Sequence, residues 1–321
     1  MPGLLLFNPS ILPFVIVPVT FAIVLCVNLS LYLYIFIYII FKTMIKINSE
    51  IPLCMLDNNN ELNEYDFVLF DLYKTNQKYR EYFLNQRKEH PERLMIFDNS
   101  AYEFFVKGES LDVEEFYKAI IELNPDYYIL PDTLMNMEKT ILDTKSFLSV
   151  YGGSIRNYEN IKSEPLAVVQ GNSVAEMRHC VFEYKKLKIN AVAIPFHNSF
   201  YRDMDVDIDI MNDFFSEFGP DNEDAEYAMG RVQLMRNWKY WLKENFKYIH
   251  LLGSHQPYEK KYYHDFDTMD TGYPVKCALE GVMLGDDYKK PSTIIDDFLD
   301  KELEDGVKER IKININRFKQ I

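Results

Sequence analysis

Residues 94–132 read LMIFDNSAYEFFVKGESLDVEEFYKAIIELNPDYYILPD and contain a complete strand–helix–strand unit. The apolar runs Leu94–Phe97 and Tyr127–Leu130 have the length and composition of buried strands. Between them, Leu111–Leu123 has helical periodicity, with acidic residues in its first turn and Ser110 as the predicted N-cap. This order of elements predicts two parallel strands joined by a helical crossover.

The same alternation continues on both sides of this unit. Six further apolar runs are candidate strands: Ile51–Leu56, Phe67–Leu72, Leu166–Val169, Ala191–Ile194, Tyr248–Leu252 and Phe266–Met269. A helix is predicted after Ser173, which begins the capping-box pattern Ser173-Val-Ala-Glu176, and another over Ala225–Glu244. Eight strands alternating with helices favour a (β/α)8 barrel of the TIM type over an open sheet. The charged tail from Pro291 is expected to form C-terminal helices that dock on the barrel.

The N-terminal residues have a different composition from the rest. No side chain from Met1 to Phe41 is charged, and Lys42 is the first that is. The run Ile11–Phe41 is longer than the about 20 apolar residues that span a bilayer. A secretory signal peptide fits poorly, because a basic start and a small-residue cleavage site are both missing.

Two interpretations of this segment stay open. It is either a membrane anchor, with Lys42 and Lys46 keeping the following domain in the cytoplasm, or translated upstream sequence before a natural start at Met44. We favour the second, and with it a cytoplasmic protein. The expected division is a hydrophobic segment over residues 1–43 and a barrel domain over residues 44–321.

The chain is acidic, with 49 Asp and Glu against 35 Lys and Arg and a formal net charge of −14. Proteins that hold nucleic acid through its phosphates usually present a basic face. Any contact with nucleic acid must therefore come from a local patch. The best candidates for a phosphate-contacting rim are Lys260, Lys261, Lys289 and Lys290, with the neighbouring Tyr258, Tyr262 and Tyr263.

The cysteines are not arranged to bind zinc. Cys26, Cys54, Cys180 and Cys277 show neither the CxxC spacing nor a histidine at ligand spacing. We expect free thiols in a reducing compartment, without disulfides, structural zinc or another cofactor.

Polar residues follow the predicted strands at the points where the strands end. They are three carboxylates, an amide and two glycines: Asp98, Asp132, Gln170, Gly171, Gly253 and Asp270. Each of them alone could instead cap a helix or a turn. Because the active site of a parallel barrel forms at the C-terminal ends of its strands, the group predicts carboxylate chemistry on a polar heterocycle.

Three of these segments resemble motifs of the queuine and archaeosine tRNA-guanine transglycosylases and of their phage relatives that act on DNA. Asp98-Asn-Ser-Ala-Tyr102 is similar to the Asp-Ser-Gly-Gly-Phe/Tyr segment of the family. Asp132 corresponds to its next acid, which recognises the base. Val169-Gln170-Gly171 matches its Val-Gln-Gly segment.

Two later segments continue the resemblance in the same order. Leu251-Leu252-Gly253 looks like the Leu-Met-Gly strand end of the family. Asp270-Thr-Gly-Tyr-Pro274 matches its nucleophile motif, an Asp followed four residues later by Pro. The resemblance covers about Leu94 to Gly281, and each motif alone is weak.

The resemblance implies that a 7-deazaguanine base replaces guanine at C1′ of a nucleotide. Asp270 would be the nucleophile that forms a glycosyl–enzyme intermediate, and Asp98 would be the general acid and base. The implied base-binding residues are Asp132, Gln170, Gly171, Tyr102, Leu252 and Gly253. The Asp132 carboxylate would accept hydrogen bonds from the N–H edge of the purine, and the amide groups of Gln170 and Gly171 would donate to the purine carbonyl oxygen. Tyr102 and Leu252 would pack on the two faces of the ring.

The chain also departs from the family pattern. The clustered cysteines and histidine of the tRNA enzymes have no counterpart, which favours the DNA-acting phage branch. Ser100-Ala101 replaces a Gly-Gly pair, and Ala193-Ile-Pro-Phe-His197 replaces a glycine-bearing segment that helps to bind the base.

DNA and a free 7-deazaguanine are therefore the expected substrates, and tRNA is the alternative polymer. A non-catalytic member that binds nucleic acid or a partner, an unrelated barrel enzyme, and a homodimer all stay open.

Overall fold

The computed structural model describes residues 45–158, 161–196, 198–218, 223–254, 257–285, 299 and 301–320. The chain divides after Met44, and Ile45–Ile321 forms the second unit. The hydrophobic segment predicted over residues 1–43 lies outside the described residues. No helix within these ranges is long and apolar enough to cross a membrane.

Eight parallel strands form one sheet: β1 Lys46–Ser49, β2 Asp66–Leu69, β3 Met95–Asp98, β4 Tyr127–Ile129, β5 Glu164–Val168, β6 Ala191–Pro195, β7 Tyr248–Leu252 and β8 Thr268–Thr271. They pair in the order β1-β8-β7-β6-β5-β4-β3-β2, and each neighbouring pair is parallel. The sheet is a nearly closed barrel with interleaved helices. The predicted (β/α)8 class is confirmed.

Side chains join β1 to the segment that leads into β2. The backbone N–H of Ile47 donates to the Glu64 carboxylate at 2.8 Å, and the Asn48 amide donates to the Tyr65 carbonyl at 2.8 Å. The Ser49 N–H donates to the Asn63 side chain at 2.7 Å. With the backbone bond from the Glu64 N–H to the Ile47 carbonyl at 3.3 Å, these bonds connect β1 to the segment before β2.

The helices are α1 Asn59–Leu62, α2 Phe70–Thr75, α3 Gln77–Glu89, α4 Ala101–Lys107, α5 Val113–Leu123, α6 Met137–Phe147, α7 Gly153–Asn157, α8 Val174–Lys186, α9 Ile208–Phe218, α10 Glu223–Asn245, α11 Tyr273–Leu279 and α12 Asp305–Gln320. Ser173 caps α8 as predicted, since its hydroxyl accepts from the Glu176 N–H at 3.2 Å. The predicted cap Ser110 is wrong. Asp112 caps α5 instead, because the helix begins at Val113 and the Asp112 carboxylate accepts from the Glu115 N–H at 3.0 Å.

The predicted first strand, Ile51–Leu56, is wrong. Leu53–Asn58 is a short 3-10 helix that follows Pro52, and the strand lies earlier, in β1. Ile51 and Met55 of this run pack in a second core with residues of α1, α11 and α12, namely Leu62, Val275, Ala278, Ile311 and Ile315, whereas Leu56 packs in the main core. The run is apolar because it is buried between these helices and the main core, and it takes no part in the sheet.

Two further predicted strands differ at their ends. Phe67–Leu72 is strand only to Leu69, and its second half begins α2, since a continuous apolar run does not separate a buried strand from a buried helix. The predicted strand Phe266–Met269 lies two residues later in the structure, as β8. The side chains of Thr268 and Asp270 on this strand face inward.

The C-terminal helix docks on the barrel as predicted. The buried Asn314 of α12 accepts from the Leu284 N–H at 3.0 Å and donates to the carbonyls of Pro274 and Val282 at 3.2 and 2.9 Å. Residues 286–298, which include the predicted start of this tail, lie outside the described residues.

Aromatic side chains fill the barrel below the site. The rings of Tyr127 and Tyr248 stack at 4.1 Å although their strands are not neighbours, so this contact crosses the interior. One layer higher, the Phe67 ring stacks on His250 at 5.4 Å. The C-terminal end of the barrel therefore stands on a packed floor.

Candidate active site

Asp270 lies on β8 with its carboxylate directed toward β7. Its Oδ1 accepts two hydrogen bonds, from the Gly253 backbone N–H at 2.9 Å and from His250 Nε2 at 3.1 Å. No hydrogen bond from another described residue reaches Oδ2. The residue is 4% exposed. One carboxylate oxygen is therefore held in place, and the other is available to a substrate.

The backbone conformation after β7 sets the direction of the Gly253 N–H. Gly253 has a φ of +64°, in the left-handed region that glycine adopts without strain. Arg231 on α10 donates to the carbonyl oxygens of Leu252 at 2.9 Å and Gly253 at 2.7 Å. The guanidinium thus fixes the peptide groups that hold the nucleophile candidate.

Arg231 is itself held by a buried network. Its guanidinium pairs with Glu259 at 3.0 Å, and both side chains are fully buried. Glu259 also accepts from the hydroxyls of Ser254 and Tyr263, each at 3.0 Å. Buried charges of this kind are stable only when they are paired and hydrogen-bonded, as they are here.

A glycine brings α10 close enough for this network to form. A Cβ at Gly230 would lie 1.9 Å from the Tyr201 carbonyl oxygen, in the turn Ser199–Asp203. Only glycine fits this contact, and the next residue along the helix is Arg231. Sequence reasoning missed the network because it joins residues that no local pattern connects.

Asp98 ends β3 and carries a raised pKa. Burial contributes most, followed by the Glu103 carboxylate, while the Ser100 N–H, which donates to Oδ2 at 2.9 Å, opposes the increase. Asp132 and Asp270 raise the pKa further. The pKa of Asp98 lies well above its usual value, so this carboxyl keeps its proton to a higher pH than an ordinary aspartate does.

Two more acids border the site, and sequence reasoning missed both. Burial and then the nearby Asp270 raise the pKa of Glu50 to about 8. Burial likewise raises the pKa of Glu103. Glu50 directly follows β1 and could have been found from the rule that site residues follow strands, but the misplaced first strand directed that rule to another residue.

Asp132 and Gln170 are brought together at the ends of neighbouring strands. The Gln170 amide donates to one oxygen of Asp132 at 2.8 Å, and the Asn99 amide donates to the other at 2.8 Å. Gln170 Oε1 accepts from the Met135 N–H at 3.0 Å, which fixes the orientation of the amide. Burial raises the pKa of Asp132, and these two amide donors lower it. The arrangement holds a half-buried carboxylate ready to accept from further N–H donors.

Gly171 lies where β5 turns into α8. A Cβ there would lie 2.8 Å from the Glu176 Cβ and 3.0 Å from the Met177 nitrogen, so the close turn requires glycine. Leu252 is half-buried at the end of β7. Tyr102 is on the surface of α4, 59% exposed, on the helix that directly follows Asp98. The predicted residues thus share the C-terminal side of the barrel.

A cavity of about 450 Å³ opens between α4 and α6 and shares Asn99 and Asp132 with the site. Its other walls are mostly apolar and aromatic and include Phe104, Phe147 and Tyr151. Asp98 and Asp270 do not line it. The open volume therefore adjoins the predicted base-recognition carboxylate more closely than the two predicted catalytic acids.

The predicted phosphate-contacting rim is wrong for two of its members. Lys260 is buried, and its ammonium donates to the Lys319 carbonyl. Tyr263 is buried in the Arg231 network. Lys261 forms an ion pair with Asp213 at 2.7 Å. Lys289, Lys290 and His197 lie outside the described residues.

The described part of the chain contains no group of three His, Cys, Asp or Glu side chains that could hold a metal ion. Cys54, Cys180 and Cys277 are free thiols, and Cys26 lies outside the described residues.

No protein-family model matches the chain, and a comparison with curated proteins finds no match. The geometry of the site and the motifs that resemble the transglycosylases are therefore the features from which a function can be inferred.

Proposed function

We propose that this protein is a base-exchange glycosyltransferase that replaces guanine in DNA by a 7-deazaguanine derivative through a glycosyl–aspartate intermediate. The observation that carries the proposal is a pair of carboxyls in two different environments at the barrel mouth. Asp98 is half-buried beside acids that raise its pKa, whereas Asp270 is held by two N–H donors at one oxygen. A pair of acids with separate environments is the arrangement that double-displacement chemistry at a sugar carbon needs.

The residues suit both halves of the exchange. Asp270 Oδ2 attacks C1′ while the bond from C1′ to the base nitrogen breaks, and the Asp98 carboxyl gives its proton to the departing guanine. The incoming base then loses a proton to the Asp98 carboxylate, its nitrogen bonds to C1′, and the bond from C1′ to Asp270 breaks. Atoms and charges balance without a cofactor.

Asp132 and Gln170 support a purine-like substrate. A carboxylate accepts hydrogen bonds only, so Asp132 matches the N–H edge of guanine and of 7-deazaguanine alike. The hydrogen bonds from Asn99 and Gln170, one to each oxygen, fix the orientation of the Asp132 carboxylate toward that edge. Recognition of the shared edge is consistent with one pocket that binds first the leaving base and then the incoming one.

The test is mass spectrometry of nucleosides from DNA and tRNA after incubation with the purified protein and a panel of 7-deazaguanine bases. We expect a deazaguanosine in DNA with the wild type and none with Asp270→Ala. Asp213→Asn, which changes an exposed aspartate that pairs with Lys261, is the matched control and should keep the activity.

The outcomes separate the alternatives. A modified nucleoside in tRNA alone would make the protein a tRNA-guanine transglycosylase. Binding of either polymer without modification would favour the non-catalytic alternative. No modification and no binding would refute the proposal and leave only the barrel fold.

A further inference from the structure

We propose that His250, as the neutral tautomer protonated at Nε2, is a positioning residue that holds Oδ1 of Asp270 and leaves Oδ2 as the attacking oxygen. This inference rests on the proposed function for its chemical consequence. Its structural part concerns a hydrogen-bond chain inside the barrel and can be tested without any substrate.

The chain runs through four side chains on β7 and β8. Tyr248 OH lies 2.6 Å from Thr268 Oγ1, which lies 2.8 Å from His250 Nδ1. His250 Nε2 lies 3.1 Å from Asp270 Oδ1. Because alternate residues of a strand face the same side, residues 248 and 250 and residues 268 and 270 all project into the barrel.

The direction of each hydrogen bond follows from Asp270. Its Oδ1 already accepts from the Gly253 N–H, so it is an acceptor toward His250 as well, and Nε2 must carry the proton. His250 is 0% exposed, and its Nδ1 faces the Thr268 hydroxyl, which can donate. Nδ1 therefore accepts from the Thr268 hydroxyl, whose oxygen in turn accepts from Tyr248.

The ring cannot easily leave this position. It stacks on Phe67 at 5.4 Å with 25° between the planes, and the Tyr65 ring meets it edge-on at 6.5 Å. The nearby carboxylate of Asp267 is engaged elsewhere, since it accepts from the Ile249 N–H at 2.8 Å. Packing and hydrogen bonding together give the carboxylate of Asp270 a single orientation.

Long-range proton–nitrogen NMR of the histidine rings tests the tautomer in the ligand-free full chain, and His250→Gln identifies the signal. We expect a ring protonated at Nε2 alone in the wild type. Thr268→Val, which removes the hydroxyl but keeps the shape, should leave the proton on Nε2, because Asp270 and not Thr268 fixes the tautomer. A wild-type ring protonated at Nδ1, or at both nitrogens, would overturn the inference.

Kinetics test the positioning role. His250→Phe should lower kcat roughly ten- to a hundredfold, the effect of losing a hydrogen bond to a charged group, with KM nearly unchanged. His250→Gln keeps an N–H donor and should recover much of kcat. His264→Phe makes the same change at an exposed histidine and should leave both constants unaltered.

The failures are distinguishable. If His250→Phe keeps kcat within about twofold of the wild type, which corresponds to a negligible change in transition-state energy, the positioning role is wrong even though base exchange stands. If the wild type performs no base exchange, the proposed function fails, and the positioning role fails with it. The NMR result then decides the hydrogen-bond chain alone.

Discussion

Removal of the Arg231 guanidinium is expected to destabilise the protein strongly. Arg231 and Glu259 form an ion pair at 3.0 Å, and both side chains are fully buried. Arg231→Met would therefore leave the Glu259 carboxylate buried without its cation. Removing one partner of a buried ion pair costs about 3–5 kcal/mol. The carbonyls of Leu252 and Gly253 would also lose their donors, so we expect a loss of unfolding free energy toward the upper end of that range.

A second variant separates the charge from the packing. Arg231→Met combined with Glu259→Gln removes the unpaired charge while an oxygen remains for the hydroxyls of Ser254 and Tyr263. The double variant should therefore be more stable than the single one by about 1 kcal/mol or more, as coupled neighbours in one network require.

The assay is urea denaturation of the full chain followed by circular dichroism, with midpoints compared at constant slope. Arg236→Met is the matched control, because it changes an exposed arginine on the same helix that pairs with Asp207 and Asp209. Its shift should be much smaller. The reasoning would be refuted if Arg231→Met matched this control, or if the double variant were no more stable than the single one.

Three further predictions follow from individual residues. The pKa of Glu50 is raised to about 8, so the folded protein keeps a proton that the unfolded chain releases, and stability should fall as the pH rises toward that value. Glu50→Gln should weaken this dependence, which has a limit of about 1.4 kcal/mol per pH unit and is measured by urea midpoints across pH. The raised pKa of Asp98 predicts that kcat/KM for base exchange declines on the alkaline side as the acid loses its proton, and a profile with an acidic limb alone would contradict this. Gly230→Ala would place a Cβ 1.9 Å from the Tyr201 carbonyl oxygen and should lower Tm, since overpacking costs about 1–3 kcal/mol. Gly306→Ala, with no atom within 4 Å, should leave Tm nearly unchanged.

Much of the barrel could be predicted because its strands are short apolar runs between amphipathic helices. The run before Asp98 and the run before Asp132 each ended within one or two residues of the observed strand. The rule that site residues follow strands selected the candidate site residues Asp98, Asp132, Gln170 and Asp270. The C-terminal ends of parallel strands meet at one face, so strand order was not needed to group these residues.

The misplaced strand has a physical origin. Apolar residues indicate that a segment is buried, but they do not indicate which element covers it. Ile51–Leu56 is buried against the C-terminal helices, and its interpretation as a strand concealed Glu50. Arg231 and Glu259 form an ion pair across 28 positions of sequence, which no local pattern indicates. His250 and Asp270 likewise meet across 20 positions of sequence, which no local pattern indicates.

The most direct measurement for the proposed base exchange is peptide mass spectrometry of the protein after incubation with a guanine-containing DNA oligonucleotide and no incoming base. A glycosyl–aspartate intermediate predicts a DNA adduct on the peptide that contains Asp270, released when a 7-deazaguanine base is added and absent from Asp270→Ala. An adduct on Asp98 or Glu50 would contradict the assigned roles. Complete absence of an adduct, with the DNA bound, would contradict the covalent exchange itself.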